Sequence, residues 1–502
     1  MKSSAEEGPE AAGRPRGSYA RPPGEIWSYV AAALFAAFFL VTSIQIAAHR
    51  PLWFDEIITV LISRLPPSKL LEALAHTDNN MPALHFLVVH WFDALLKHRE
   101  FAARLPSALA MTAGLLITFD CTRRLADGLH GLIAMSLLAC SYLSYYGYEA
   151  RSYGFYFMLS ALGFWVWLHV KGKWPPAVLF GAVLFTNIMF HYYAVLCLVP
   201  YAAWEASCWK RWRLPSAKLI AGALAVGCAV AFLLSQMAGA NRYSATFWSP
   251  PALYKLRAIF SDIFPDGLFL LALILIWMAL TARVGGTARP APIEAAECIG
   301  WLGLLIPFAG YVVAKLVTNA FVDRYFMGLL PGIAVAFSVL VWRHYRETRL
   351  VSLGIVSILA VFGMVAQVRA VRHPESIDPF GQQTQTRQAL QLETSLRNEG
   401  KRFILLTNGM LFLELNYYSK HPEGYVLLVP SAQYLEIANT TRYDFGLGRY
   451  HPMQFWNLDD LRNHTRETAL LQPTPLGMRV VKEAGFETTV RFAGPMEVDY
   501  LR

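Results

Sequence analysis

Apolar runs of span length recur from residue 26 to residue 368, separated by short polar stretches. A run of about 20 apolar residues crosses a bilayer as a helix, because a helix satisfies its own backbone polar groups. The pattern predicts about eleven spans, near 26–48, 104–122, 129–147, 152–170, 176–190, 192–209, 217–238, 265–283, 298–317, 325–343 and 350–368. The run 81–96 is apolar too, but it is short and carries His85, His90, Trp91 and Asp93. It is expected to lie as an amphipathic helix at the membrane interface.

Beyond Val371 the pattern changes. Phe403-Ile404-Leu405-Leu406-Thr407 reads as a buried strand that ends in the turn signal Asn408-Gly409. Met410 to Tyr418 reads as a helix and Tyr425-Val426-Leu427-Leu428-Val429 as a second strand. The expected organisation is a disordered cytoplasmic leader over 1–25, a transmembrane domain over 26–369 with a long first outer loop at 49–103, and an α/β domain over 370–502. The leader is rich in Gly, Pro and Arg, and no small-residue cleavage site follows the first run. That run therefore reads as a retained span.

Charge orients the bundle. With a cytoplasmic N-terminus, the inner loops carry Arg14, Arg16 and Arg21; Arg123 and Arg124; Lys171 and Lys173; Lys210, Arg211 and Arg213; Arg283 and Arg289; and Arg343, Arg346 and Arg349. This obeys the positive-inside rule. Counting 81–96 as a span would move Arg123, Arg124 and the later basic loops outside, so charge supports the interfacial reading. The α/β domain is then extracytoplasmic, and the chain is a multi-pass protein of a plasma membrane, the inner membrane in a bacterium.

Composition narrows the class. With 55% hydrophobic and 16% charged residues, the chain is a polytopic, all-α membrane protein and not a large soluble core. The formal charge of +9 is spent largely on topology, and no nucleic-acid partner is expected. The six cysteines fall in spans or at their ends, so no disulfide is expected inside the α/β domain.

Polar residues gather on the outer side. Asp55 and Glu56 stand in Leu52-Trp53-Phe54-Asp55-Glu56-Ile57, just past the first span, with His76, Asp78, Asn79, Asn80 and His85 in the same loop. Adjacent carboxylates at a membrane surface mark the chain's exit from the bilayer, or serve as base, nucleophile-orienting group or cation ligand. The third-to-fourth turn is Tyr145-Tyr146-Gly147-Tyr148-Glu149-Ala150-Arg151-Ser152-Tyr153. His191-Tyr192-Tyr193 follows at another outer boundary, the loop 239–264 adds Asn241, Arg242, Tyr243, Trp248 and Asp262, and Asp323-Arg324-Tyr325 precedes the tenth span, with Lys315 near the end of the ninth. Cations beside aromatics suit an anionic, partly lipidic ligand. The plainer alternatives are a local Glu149–Arg151 ion pair, snorkelling by Arg324 and Lys315, and a tyrosine belt. Asp120 with Arg123 and Arg124, and Glu205 near Lys210, read as structural pairs.

Four passages carry a family resemblance: Leu52-Trp53-Phe54-Asp55-Glu56; Asn79-Asn80-Met81-Pro82-Ala83-Leu84-His85 through Trp91 with Arg104-Leu105-Pro106-Ser107-Ala108; the Glu149-Ala150-Arg151 turn; and Phe321-Val322-Asp323-Arg324-Tyr325-Phe326 with Pro331. Together they resemble the lipid-sugar-dependent glycosyltransferases of GT-C fold, in the protein mannosyltransferase-like group that includes the aminoarabinose and galacturonic acid transferases of bacterial lipid A. The resemblance covers roughly residues 26–345. Met81-Pro82 stands where the family often has two prolines, and the C-terminal domain carries no family motif.

The resemblance implies a hexosyl- or pentosyltransferase. Its donor would be a sugar on polyprenyl phosphate, and its acceptor a hydroxyl of a lipid, glycan or protein, as in lipopolysaccharide modification. It implies an inverting displacement with Asp55 as base, Arg324, Arg151 and Lys315 on the leaving phosphate, and Glu56, Glu149, His191, Tyr192 and Tyr325 lining the substrate site. No cofactor is required, although a divalent metal near Asp55, Glu56 and His76 is a further implication from relatives of the fold. A secondary transporter or a non-catalytic lipid- or glycan-binding membrane protein is the alternative. A transporter should show internal repeats and midplane charges, and neither is evident in the sequence.

Overall fold

The computed structural model describes residues 25–76, 81–97, 100–208, 215–244, 249–281, 293–377, 381–430, 446–493 and 495–501, with side chains at 75–76, 234–244 and 376 excepted. The N-terminal stretch and many basic residues of the expected inner loops, among them Lys210, Arg211, Arg213, Arg283 and Arg289, lie outside the described residues.

The membrane part opens with α1 (Ile26–His49), followed by three shorter helices, α2 (Phe54–Ser63), α3 (Pro67–His76) and α4 (Ala83–Leu96). α5 (Phe101–Leu125) returns into the bundle and contacts α1, α4, α6 (Gly128–Ala139) and α8 (Tyr153–His169), with the short α7 (Leu143–Tyr146) between the last two. Two polar residues of α4, His90 and Asp93, reach the end of α2. Arg64 donates to Asp93 at 3.2 Å, and the His90 ring bonds the Ser63 carbonyl at 2.7 Å, while Trp91 is exposed.

The rest of the bundle is α9 (Trp174–Phe190), α10 (Val199–Ser207), α11 (Ala217–Ser244), α12 (Leu253–Ile263), α13 (Gly267–Thr281), α14 (Ala295–Leu302), α15 (Leu305–Val313), α16 (Leu330–Tyr345) and α17 (Arg349–Arg372). Among the described residues, five helices are long and apolar enough to cross a membrane: α1, α5, Ala295–Thr318, Asp323–Tyr345 and α17. The pair α12–α13, bent by 53°, makes a sixth if it is one span.

Three expected elements change form. The expected span 129–147 ends as a regular helix at Ala139 and resumes as α7; 192–209 opens with a 3₁₀ turn over Tyr192–Leu198 before α10. The expected loop 239–264 contains helix: α11 runs to Ser244, and α12 buries Ile259 and Ile263 one turn apart. Lys255, Arg257 and Asp262 mask that apolar face in the sequence.

The C-terminal part begins with α18 (Gln382–Asn398) and builds a sheet from β1 (Phe403–Leu406), β2 (Tyr425–Leu428), β3 (Gln454–Trp456), β4 (Thr468–Leu471), β5 (Thr488–Ala493) and β6 (Met496–Leu501). Its order is β3-β2-β1-β4-β6-β5. The first four strands pair in parallel, and β6 joins β4 and β5 in antiparallel pairs. β1, β2 and β4 are buried along their whole length, which is why Phe403-Ile404-Leu405-Leu406 is unbroken rather than alternating. The helices α19 (Gly409–Tyr418), α20 (Leu458–His464) and α21 (Pro475–Glu483) complete the layer.

This domain docks on the back of α2. Leu413, Leu447, Met410 and Tyr417 share an apolar cluster with Leu52, Phe54, Ile57 and Ile58. The Leu52 N–H donates to the Tyr418 hydroxyl, which itself donates to Glu100 at 2.9 Å. Gln383 reaches the Pro51 carbonyl at 3.2 Å, and His451 meets the Leu61 carbonyl at 3.2 Å.

Candidate active site

The site starts from the first turn of α2. Trp53 is its extended N-cap, and the Glu56 carboxylate accepts the Trp53 N–H at 3.3 Å. Acidic residues are favoured in this turn because they face the unpaired N–H groups of the helix start. Asp55 and Glu56 are adjacent, so their side chains diverge by about 100° around the helix. That divergence gives them different surroundings.

Glu56 is fully buried. Arg50 donates to it at 2.7 Å, Arg104 at 2.7 and 2.6 Å, and the Ala150 N–H at 2.8 Å. Arg104 also holds the carbonyls of Ala47, Arg50 and Pro51. Burial alone would raise the Glu56 carboxyl, but Arg104 and Arg50 outweigh it and hold the group down to about 2. The network ties the exit of α1, the start of α2, the start of α5 and the Glu149–Arg151 turn into one knot.

That knot aims Arg151. The Ala150 N–H is fixed by Glu56, and Ser107 Oγ donates to the Arg151 carbonyl at 2.7 Å. Gly154 lets α8 lie against α5: a Cβ there would come within 2.5 Å of the Ser107 carbonyl oxygen. Arg151 Nη2 then stands 3.4 Å from Asp55 Oδ2, and Arg324 Nη2 stands 3.9 Å from the same oxygen. Arg324 lies on a 3₁₀ turn over Asp323–Leu329. Tyr142 and Tyr156 pin that turn by donating to the carbonyls of Asp323 and Tyr325, at 3.0 and 3.1 Å. Asp55 keeps 22% of its side chain exposed, against none for Glu56.

Aromatic rings form the adjoining wall. His191 stacks on Tyr156 at 4.9 Å and lies 5.3 Å from the ring of Tyr325. Burial, with the charges of Arg151 and Arg324, pushes the His191 imidazole down to about 3. It is a neutral hydrogen bonder with neither ring nitrogen engaged among the described residues. Arg151 also sits 6.0 Å above the ring of Tyr153.

The other expected site residues are placed as follows. Glu149 is fully buried beside Arg50 and Glu56, and Arg151 reaches Asp55 rather than Glu149. Burial, added to by the Glu56 charge and opposed by Arg50, pushes its carboxyl up to about 7. Tyr192 is half-buried against the bundle core. Lys315 is exposed and lies 5.9 Å from the ring of Tyr311, as a snorkelling lysine does. The side chains of His76, Asn241, Arg242 and Tyr243, and all of Asp78, Asn79, Asn80 and Trp248, lie outside the described residues. Asp120 pairs with Arg123 and Arg124 at 2.7 and 2.6 Å, whereas Glu205 accepts from Ser216 at 2.8 Å.

Sequence reasoning passed over Arg50 and Arg104 as site architecture. The available signal was an arginine within the first turn of a long apolar helix and another at the end of one, close in sequence to an acidic pair. Buried cations of this kind need a counter-ion.

Among the described residues, the two carboxylates expected to hold a divalent cation are engaged by other donors, and the His76 side chain lies outside the described residues. The Glu56 oxygens are occupied by guanidinium and amide donors, and Asp55 faces two guanidinium groups. Among the described residues, no group of three His, Cys, Asp or Glu side chains converges.

No known family model matches the chain, and no curated protein sequence matches it. Its structure is similar to that of ArnT from Cupriavidus metallidurans in the apo state, with a TM-score of 0.59 at 12% identity over 95% of this chain and 98% of that one. The same ArnT bound to undecaprenyl phosphate gives a TM-score of 0.57 at 13% identity, with the same coverage. The Archaeoglobus fulgidus oligosaccharyltransferase, solved with Zn and sulfate, aligns at a TM-score of 0.39 and 10% identity over 76% of this chain and 61% of that one. The ArnT alignments, which cover 95% of this chain, show that it has the GT-C fold.

Proposed function

We propose, with the GT-C fold as premise, that this chain is an integral membrane glycosyltransferase. It moves a sugar from a polyprenyl-phosphate donor to an acceptor hydroxyl on the outer face of the membrane. The observation that carries the reading is one partly open carboxylate, Asp55, facing two guanidinium groups beside an aromatic wall. That ArnT has been solved with undecaprenyl phosphate supports a lipid phosphate as the donor's carrier.

The chemistry needs a proton acceptor and a sink for leaving-group charge. The acceptor oxygen attacks the anomeric carbon from the face opposite the phosphate, and its proton passes to Asp55. The bond from the anomeric carbon to the phosphate oxygen breaks, and polyprenyl phosphate departs as an anion. Arg324 and Arg151 stabilise the charge that develops on that oxygen. A single displacement inverts the anomeric centre. His191 and Tyr325 line the sugar side, and neutral His191 hydrogen-bonds a hydroxyl without adding charge.

Two expected substrate contacts take other roles in this reading. Glu56 has no face left for a ligand and acts as the counter-ion that fixes Asp55 and Arg151. Lys315 is a membrane anchor. Orientation follows the basic loops: the N-terminus is cytoplasmic and the α/β domain outside, clamped on α2.

The test is Asp55→Asn in a reconstituted assay with polyprenyl-phosphate sugar. The expected result is retained donor binding with transfer abolished. Unchanged transfer would remove Asp55 from the chemistry, and donor binding without any transfer by the wild type would favour a lipid-binding protein.

A further inference from the structure

A second lipid-facing feature lies away from Asp55, between α1 and α17. A groove of about 510 Å³ runs between these helices, walled by Phe38, Met364, Val365 and Val368 and closed at one end by Arg369 and Arg372. The two helices are joined beside it, where Thr42 Oγ1 lies 3.3 Å from Gln367 Oε1. Val361, Val365 and Val368 are exposed along α17, so the wall is open to the bilayer.

Both arginines are exposed in the last turn of α17, and neither makes an ion pair among the described residues. The nearby Glu375 is engaged by His373 at 3.3 Å. Topology does not call for them, since α17 already carries Arg349 at its opposite end. An apolar trough lined by Phe38, Met364, Val365 and Val368, with two guanidinium groups that make no ion pair among the described residues, has the charge and polarity complement of a phosphate-bearing amphiphile.

We infer that this groove binds one anionic phospholipid of the outer leaflet, with an acyl chain along Phe38, Met364 and Val368 and the phosphate between Arg369 and Arg372. The site is separate from the donor site, and its test does not read sugar transfer. The lipid holds α17 against α1 at the point where the chain leaves the bundle for the α/β domain. Arg50, whose carbonyl and side chain belong to the Glu56 knot, follows directly on α1.

The experiment uses the full chain in nanodiscs of phosphatidylcholine with or without phosphatidylglycerol of the same acyl length. Native mass spectrometry counts retained phosphatidylglycerol, and thermal unfolding reads its effect. Wild type is expected to retain about one phosphatidylglycerol and to melt higher when it is present. Arg369→Gln with Arg372→Gln should weaken retention about 30-fold, on the basis of two arginines near an anionic headgroup. Met364→Trp, which fills the groove and leaves both charges, should also lose it. If the arginines only complement the helix end, the double variant melts lower by the same amount in both lipids, and the inference falls. It falls equally if wild type shows no preference for phosphatidylglycerol, or if inorganic phosphate gives the same protection.

Discussion

Asp55 and Glu56 are neighbours in sequence and belong to two different regions of the molecule. Glu56 points into a dry knot where two arginines and two backbone N–H groups use its oxygens. Asp55 points to a half-open cleft where two arginines stand at 3.4 and 3.9 Å, beyond ordinary hydrogen-bonding distance. The same carboxylate chemistry thus yields a saturated anchor on one side of a helical turn and, on the other, a partly open carboxylate that serves as base in the proposed reaction. In the proposed reaction, saturation rather than acidity separates the fold-determining carboxylate from the reactive one.

The largest effect expected is on Asp55. Asp55→Asn keeps the shape and removes the proposed proton acceptor, so transfer should fall by about 10²–10⁴-fold, the usual scale for general-base catalysis. The melting temperature should change little, because the side chain is partly solvated and its cation contacts are long. A variant that melts much lower than wild type would show that Asp55 is a second anchor.

Glu56→Ala should do the reverse. It leaves Arg50 and Arg104 buried without a counter-ion, a loss of about 3–5 kcal/mol for breaking a buried pair. Folded yield and thermal stability in detergent are the measurements. Normal stability with lost transfer would return Glu56 to the substrate site. Arg324→Gln comes next. Removing one charged donor from a departing phosphate costs about 1.5–3 kcal/mol, or roughly 10- to 150-fold in rate. The defect should be smaller with a donor analogue whose phosphate leaves more easily.

Much of this site was legible because charge is scarce here. Asp55, Glu149, Arg151 and Arg324 stand out against apolar surroundings, and structure brings Asp55, Arg151 and Arg324 together. The division of labour between Asp55 and Glu56 was not legible. It depends on Arg104, 48 residues from Glu56 along the chain, and on which side of one turn each carboxylate leaves the helix. The strands β1 and β2 could be read because they are buried on both faces. β5 could not: most of its side chains are exposed, so Thr488–Ala493 has no apolar signature. α12 was hidden for the related reason that its two buried isoleucines sit among charged residues.

The smallest effect expected concerns the boundary between the two regions, where Glu149 is buried beside the knot. Its carboxyl is raised to about 7 in the folded protein by burial, with Glu56 adding to the rise and Arg50 opposing it. In the unfolded chain it titrates at the ordinary glutamate value. Between those two values the folded state binds more protons than the unfolded one, so stability falls as pH rises. The contribution is fully present below the unfolded value and is lost as pH passes through about 7. The slope cannot exceed about 1.4 kcal/mol per pH unit for one group. Glu149→Gln should flatten this part of the melting-temperature profile and leave the fall at low pH, which Glu56 governs in the opposite sense: its depressed carboxyl loses its contribution only as pH drops towards about 2. If the variant keeps the wild-type slope between pH 5 and pH 7, Glu149 is ionised throughout, Arg50 serves both carboxylates, and the dry knot extends further towards the cleft than its hydrogen bonds indicate.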